Sequence, residues 1–250
     1  LPTTAEEVAD TAVACREAGA AILHLHVRDE NGRPTQDPKV FRKAIDLIRK
    51  RTDIIVEITT GGAVGDTAEE RLRPVTELEP EMASLDCGTV NFGDDYIVNT
   101  LPVMRKFAEE FRRRKVRPTL ECFDLGHVFS SRILIKEGLL EPPYHYGLVM
   151  NVPGAVPFTL DTMESFVRAL PEGADYTLMG IGRASLPAQY AAIARGGWIR
   201  VGFEDNVYYS KGVLAESNAQ FVVRAARLAK EAGLAPATPA DVRSYLKLRT

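Results

Sequence analysis

Short, nearly continuous apolar runs alternate with longer amphipathic stretches along this chain, a rhythm that few folds tolerate. Ile54-Ile55-Val56-Glu57-Ile58 is typical of the runs, lacking the in-out alternation of a sheet with one wet face. It reads as a parallel strand buried on both sides. Equivalent strands are predicted near 21–27, 82–86, 117–122, 145–150, 175–180 and 198–204, with helices near 38–50, 67–78, 99–114, 128–138, 159–170 and 185–195 between them. Leu101, Met104, Phe107, Ala108 and Phe111 keep helical spacing on one face, while Arg105, Glu109, Glu110 and Arg112 take the other. Thr4, followed by Glu6 and Glu7, predicts a capped helix running to Gly19, with no strand before it.

Strands alternating with helices leave two architectures, a closed (β/α)8 barrel and an open doubly wound sheet. The open sheet usually carries a phosphate fingerprint, and Gly180-Ile181-Gly182-Arg183-Ala184-Ser185 has only two of its three glycines. The expected fold is therefore a TIM (β/α)8 barrel, a single domain over residues 1–250, since no linker-like stretch divides the chain. Seven strands are counted where the barrel needs eight. The reading thus places the first strand N-terminal to Leu1 and expects the natural chain to be longer, because a barrel short of a strand has an open edge.

Composition narrows the partners. Lys plus Arg is 31 against 34 for Asp plus Glu, a net charge of −3, so no overall field favours a nucleic acid. No apolar run approaches the ~20 residues of a membrane span. Cys15, Cys87 and Cys122 are too scattered for a disulfide framework and form no Cys-x-x-Cys pair, which points to a reducing, cytoplasmic setting. No basic-then-apolar leader pattern precedes the first helix.

Barrel enzymes draw their reacting groups from the C-terminal ends of strands, so the polar residues where each apolar run stops are the candidates. His24 and His26, two apart on one strand, point the same way and could grip a metal, although two buried, hydrogen-bonded histidines fit the spacing too. Gly202-Phe203-Glu204-Asp205-Asn206 ends the last run with adjacent acids, costly unless a cation or an Arg compensates. Glu204 would complete a two-His-one-carboxylate set, with Asp205 as a general base oriented by Arg200; the plain alternative is an acidic loop with Asp205 capping a helix. Thr59-Thr60-Gly61-Gly62 could cradle an anion or merely turn the chain. Ser84, Asp86, Glu121, Asn151 and Arg183 hold similar strand-end positions, each lining the mouth or serving structure. Arg112-Arg113-Arg114-Lys115 reads as a solvated helix end, His127 and His145 as structural. No Gly-rich phosphate loop, Ser-His-Asp order or His-Glu-x-x-His motif is present.

His24-Leu25-His26-Val27-Arg28-Asp29, Gly32-Arg33-Pro34-Thr35, Thr59-Thr60-Gly61-Gly62-Ala63-Val64-Gly65, Asn91-Phe92-Gly93-Asp94-Asp95, Gly180-Ile181-Gly182-Arg183, Gly202-Phe203-Glu204-Asp205-Asn206 and Ala215-Glu216-Ser217-Asn218 together resemble the β-keto acid cleavage enzymes. Among these the chain is most similar to the type acting on 3-keto-5-aminohexanoate in lysine fermentation. The resemblance runs through essentially the whole chain. It implies a zinc-dependent TIM barrel, usually a homotetramer, that converts a β-keto acid and acetyl-CoA into acetoacetate and a new CoA thioester, here 3-aminobutyryl-CoA. It further implies zinc on His24, His26 and Glu204, Asp205 as the enolate-forming base with Arg200 as partner, and Thr59, Gly62 and Ser84 near the substrate carboxylate. Two departures stand out. The family's first strand carries an acid that contacts the distal end of the substrate and lies outside this chain. Asp86 stands where some relatives have Asn, an extra acid suited to an ammonium-bearing substrate or satisfied by a neighbour. Competing expectations are a zinc-dependent aldolase or hydrolase without CoA, and a non-catalytic carboxylate-binding barrel.

Overall fold

The structure, a computed structural model, describes residues 1–63 and 65–249; Val64, part of the Thr59–Gly65 motif, lies outside them. Seven strands form one parallel sheet in strict chain order: β1 (Ile22–Leu25), β2 (Ile55–Ile58), β3 (Met82–Asp86), β4 (Arg117–Cys122), β5 (His145–Met150), β6 (Asp175–Gly180) and β7 (Trp198–Ile199). Helices α1 (Ala5–Glu17), α2 (Pro38–Arg49), α3 (Ala68–Leu78), α4 (Leu101–Arg114), α5 (Leu125–Lys136), α6 (Leu160–Ala169) and α7 (Ser185–Arg195) fall around the strands as the alternation predicts. Laid flat, seven strands would hold β1 and β7 about 29 Å apart at the usual inter-strand spacing. Instead His24 on β1 lies 3.9 Å from Glu204, just past β7, so the sheet is curled as in a TIM barrel. No described strand pairs β1 directly with β7.

Each helix forms for local reasons and buries one face. In α2, Asp37 caps the first turn by accepting from Lys39 N at 2.9 Å, and Pro38 spends its missing N–H where no partner is needed. Phe41, Ala44, Ile45 and Ile48 then recur at helical spacing and are all buried. The outward residues of the strands, Val56 and Ile58 on β2 among them, meet such faces in one continuous core. Burying a side chain the size of Phe41 or Phe107 contributes about 1.5–3 kcal/mol.

The inward residues are layered. Ile22, Ile55, Met82 and Trp198 form an apolar floor at the N-terminal end of the barrel. Above them lie polar side chains in two register sets, His24 opposite Glu57 on β1 and β2, and Ser84 opposite Thr119 and Thr119 opposite His145 on β3 to β5. Most barrels fill such layers with branched apolar side chains; here the upper ones are polar.

Several details differ from the sequence reading. The last strand, expected over 198–204, stops at Ile199, because Asp205 N and Asn206 N both bond back to the Gly202 carbonyl and turn the chain. Helix α5 starts at Leu125, three residues before expectation, where Asp124 accepts from Gly126 N. Three antiparallel ribbons, Val27–Arg28 with Pro34–Thr35, Val90–Phe92 with Asp95–Ile97 and Tyr208–Ser210 with Val213–Leu214, decorate the barrel. Two further helices were not anticipated, α8 (Asn218–Glu231) and α9 (Pro239–Leu246); α9 presses Val242 and Leu246 onto the apolar floor. No helix of the described residues is long and apolar enough to cross a membrane.

Candidate active site

Six of the sequence candidates converge at the barrel mouth. His24 near the end of β1 and His26 just beyond it bring their Nε2 atoms within 3.2 Å of each other. Glu204, on the turn after β7, places Oε1 3.2 Å from His26 Nε2. One ligand-type atom from each of the three lies within 4.8 Å of the others. A tetrahedral ion with bonds of about 2.05 Å needs nitrogens about 3.3 Å apart, close to the separation observed. The surroundings fit a cation as well. Glu57, Asp86, Glu121 and Asp205 are buried in or beside the mouth, Glu204 stands more exposed at its rim, and the Arg200 guanidinium reaches Glu121, Glu204 and Asp205.

Arg200 organises the acids by its fork geometry. Nε and Nη2 donate to the two Asp205 oxygens at 3.2 and 3.1 Å, Nη2 also meets Glu204 Oε2 at 2.6 Å, and Nη1 donates to Glu121 Oε1 at 3.2 Å. The environments separate the carboxyls. For Glu204, burial would raise the carboxyl, but Arg200, His26 and His24 outweigh it and hold it well below the usual carboxylate range. For Asp205, burial dominates and leaves it above its ordinary value, although Arg200 opposes and Glu204 assists. Burial drives Glu121 well above the ordinary range; Arg200 only partly offsets this, and Asp86, Glu57 and Glu204 add to it. Burial works against the Arg200 cation, yet Asp205, Glu204 and Glu121 keep it charged.

The remaining candidates sit on the neighbouring strands. Asp86, the Cα partner of Glu121, is 4 % exposed; Oδ2 accepts from Asn99 Nδ2 at 3.2 Å, and Oδ1 is buried with no protein partner. Arg71 hydrogen-bonds Asn99, so a buried cation stands behind that amide. Gly62 has a φ of 69°, and a Cβ there would come within 2.8 Å of Arg71, so the position needs glycine for both conformation and space. Thr59 Oγ1 accepts from Gly61 N, while Ser84 Oγ accepts from Thr60 N at 2.9 Å, fixing the loop after β2. Asn151 donates to the Ile181 carbonyl and Arg183 is exposed. The basic run near the end of α4 forms ion pairs with Glu110 and Glu141.

The sequence reading assigned no role to Glu57, Thr119 or Asp175 and took His145 as structural; the four fill the polar interior beneath the mouth, with His145 paired to Asp175. The available signal was Glu57 itself, a lone carboxylate in an otherwise apolar strand. A cavity opens between β1 and β7; His24, Glu57, Glu121, Arg200, Glu204 and Asp205 line its polar end, and the apolar faces of α1 and α8, with Cys15, Val222 and Ala226, line the rest.

Paired imidazoles, a cluster of carboxylates and a buried guanidinium at the C-terminal mouth of a parallel barrel define a barrel enzyme acting on a small molecule. The profile of the beta-keto acid cleavage enzyme matches residues 1–248, and the chain belongs to that family. It is 45% identical to the 3-keto-5-aminohexanoate cleavage enzyme of Fusobacterium nucleatum, over 100% of this chain and 91% of that protein. The enzyme of the same name from Acetoanaerobium sticklandii is 43% identical, over 98% and 90%. The 3-dehydrocarnitine:acetyl-CoA trimethylamine transferase of Rhizobium meliloti is 36% identical, over 99% and 90%. Among solved structures, the apo structure of ObcA superimposes with a TM-score of 0.85 at 20% identity, covering 99% of this chain and 65% of that one, and supports the barrel fold.

Proposed function

We propose that this enzyme uses zinc to exchange acyl groups between a β-keto acid and acetyl-CoA, releasing acetoacetate and a new CoA thioester, with 3-keto-5-aminohexanoate as the substrate and 3-aminobutyryl-CoA as the product. The observation that carries the reading is one contact set: two imidazole nitrogens and Glu204 around a cation-sized gap, with Arg200 bridging Glu204 to Asp205. His24, His26 and Glu204 would hold the zinc, which supplies Lewis-acid polarisation of the keto oxygen without redox chemistry.

The chain's own residues do the rest. Asp205 takes a proton from the carbon between the carboxylate and the ketone, and Arg200, bonded to both Asp205 oxygens, orients that carboxylate for the transfer. The resulting carbon nucleophile bonds to the acetyl carbon as the C–S bond breaks. The released thiolate adds to the original keto carbon, and the C–C bond to the former α-carbon breaks, giving the thioester and the acetoacetate enolate. Asp205 returns its proton to that enolate. Thr59, Gly62 and Ser84 lie near the substrate carboxylate in this reading, and Glu121 braces the far side of Arg200. The unpartnered Asp86 Oδ1 is an acceptor suited to the substrate ammonium, and relatives with 45% and 43% identity carry that substrate in their names.

The same reading places the enzyme in the cytoplasm as a homotetramer; the three unpaired, buried cysteines and the exposed Tyr96, Tyr208 and Leu214 on the ribbons support it. The decisive experiment is mass spectrometry of products from acetyl-CoA and a panel of β-keto acids, 3-keto-5-aminohexanoate included, with and without a chelator. Acetoacetate and a matching CoA thioester, formed only with metal, are the expected result. Products without acetyl-CoA would establish an aldolase or hydrolase instead, and binding without any product a carboxylate-binding barrel.

A further inference from the structure

Behind the imidazole pair, on the neighbouring strand, Glu57 is a carboxylate only 5 % exposed that the chemistry above does not use. Both of its oxygens are engaged. Oε1 lies 2.6 Å from His24 Nδ1, and Oε2 takes the hydroxyl of Thr119. The three side chains come from β1, β2 and β4, and strand register sets the first of these contacts, since His24 and Glu57 are direct Cα partners. An ionised carboxylate only accepts, so this contact keeps the His24 proton on Nδ1 and leaves the Nε2 lone pair bare. That lone pair faces His26 Nε2 and the Glu204 carboxylate. A second set of ligand-type side chains, His24, Glu57 and Glu121, shares His24 with the first. With Nδ1 spent on Glu57, this set supports the upper one and does not form another metal site.

We propose that Glu57 is a positioning residue for the His24 ligand, fixing its tautomer and ring orientation, and that Thr119 locks Glu57 in that role. The inference rests on the reading of His24, His26 and Glu204 as metal ligands. A carboxylate behind a ligating imidazole makes the ring a stronger donor and removes its freedom to flip, and losing such a partner weakens metal binding by about 10- to 100-fold.

The test is the zinc Kd, read by competition against a chromophoric chelator, with thermal unfolding of each metal-free protein alongside. Glu57→Gln, near-isosteric and without charge, is expected to raise the Kd by about 10- to 100-fold. Thr119→Val, which removes only the hydroxyl, raises it by a smaller factor, and Thr119→Ser restores wild-type affinity. If Glu57→Gln fails to fold, the Thr119 pair carries the comparison. Nitrogen-15 imidazole spectra of the metal-free wild type should show His24 as the Nδ1–H tautomer. Unchanged zinc affinity in folded Glu57→Gln, with His26→Ala losing zinc, overturns the proposal and leaves the metal reading standing; so does an Nε2–H tautomer at His24. A wild-type chain that binds no zinc overturns both. A variant that loses thermal stability while keeping its zinc affinity shows a purely structural carboxylate.

Discussion

Glu204 and Asp205 are chain neighbours whose carboxyls are driven in opposite directions, the first down by Arg200 and two imidazoles, the second up by burial. Asp205→Asn keeps the shape and its contact with Arg200 but removes the proposed proton acceptor, so turnover should fall by about 10²- to 10⁴-fold with zinc affinity preserved. Steady-state rates beside a zinc titration check this, and retained turnover would refute the base assignment. At Asp86, the unpartnered Oδ1 makes a sharper claim about substrate. Losing a hydrogen bond to a charged group costs about 1.5–3 kcal/mol, so Asp86→Asn should raise KM for an ammonium-bearing β-keto acid by about 10- to 100-fold. KM for an uncharged analogue should hardly move; equal losses on both would show that Asp86 serves the loop through Asn99 and not the substrate. His24, His26, Arg200, Glu204 and Asp205 were legible because each stands where an apolar run ends, and barrels place chemistry there. Glu57 was not, since a carboxylate inside a strand acquires its meaning only from the residue opposite it, and register is a property of two strands.

Within single elements the chain signals its starts better than its stops. Helix α1 opens with a capping box: Glu7 N donates to Thr4 Oγ1, and the Glu7 carboxylate accepts from Thr4 N at 3.1 Å and from Thr3 N at 2.8 Å. Those backbone donors, first Thr3 and then Thr4, lower the Glu7 pKa from 4.5 to about 2. A depressed acid stabilises the fold above its unfolded pKa and loses that contribution as pH falls through the folded one. Glu7→Gln should therefore lower Tm near neutral pH, with the gap to wild type closing as pH falls from 4.5 toward 2. A gap independent of pH would mean that the carboxylate charge plays no part in the cap. The helix was legible because caps are local chemistry. The end of β7 was not, because the run Trp198–Phe203 stays apolar enough for a strand apart from Arg200, and the turn that stops it depends on Gly202 receiving two backbone donors.

Across the whole molecule the parallel sheet could be read from its apolar runs, but the closure of its floor could not. α9 is short and lies far in sequence from the strands it covers, so no periodicity ties Val242 and Leu246 to Ile55 and Met82. The barrel thus has two unlike ends: an apolar floor sealed by α9, held also by Arg243 on Glu81, and a polar mouth that gathers the imidazoles, the carboxylates and Arg200. Leu246→Ala tests whether the two are separable. Leu246 is fully buried, so truncation should cost about 2–5 kcal/mol of folding stability through lost burial and a residual cavity. The sole tryptophan, Trp198, belongs to the same floor and packs with its ring centroid 4.6 Å from that of His145, so its fluorescence during denaturant unfolding reports the loss directly. In the folded variant the zinc Kd should stay at the wild-type value, because His24 and Glu57 are fixed by strand register and by each other, above the damaged layer. A weaker zinc site in a folded Leu246→Ala protein would instead mean that the floor sets the depth of β1 and β2, and with it the spacing of the two imidazoles.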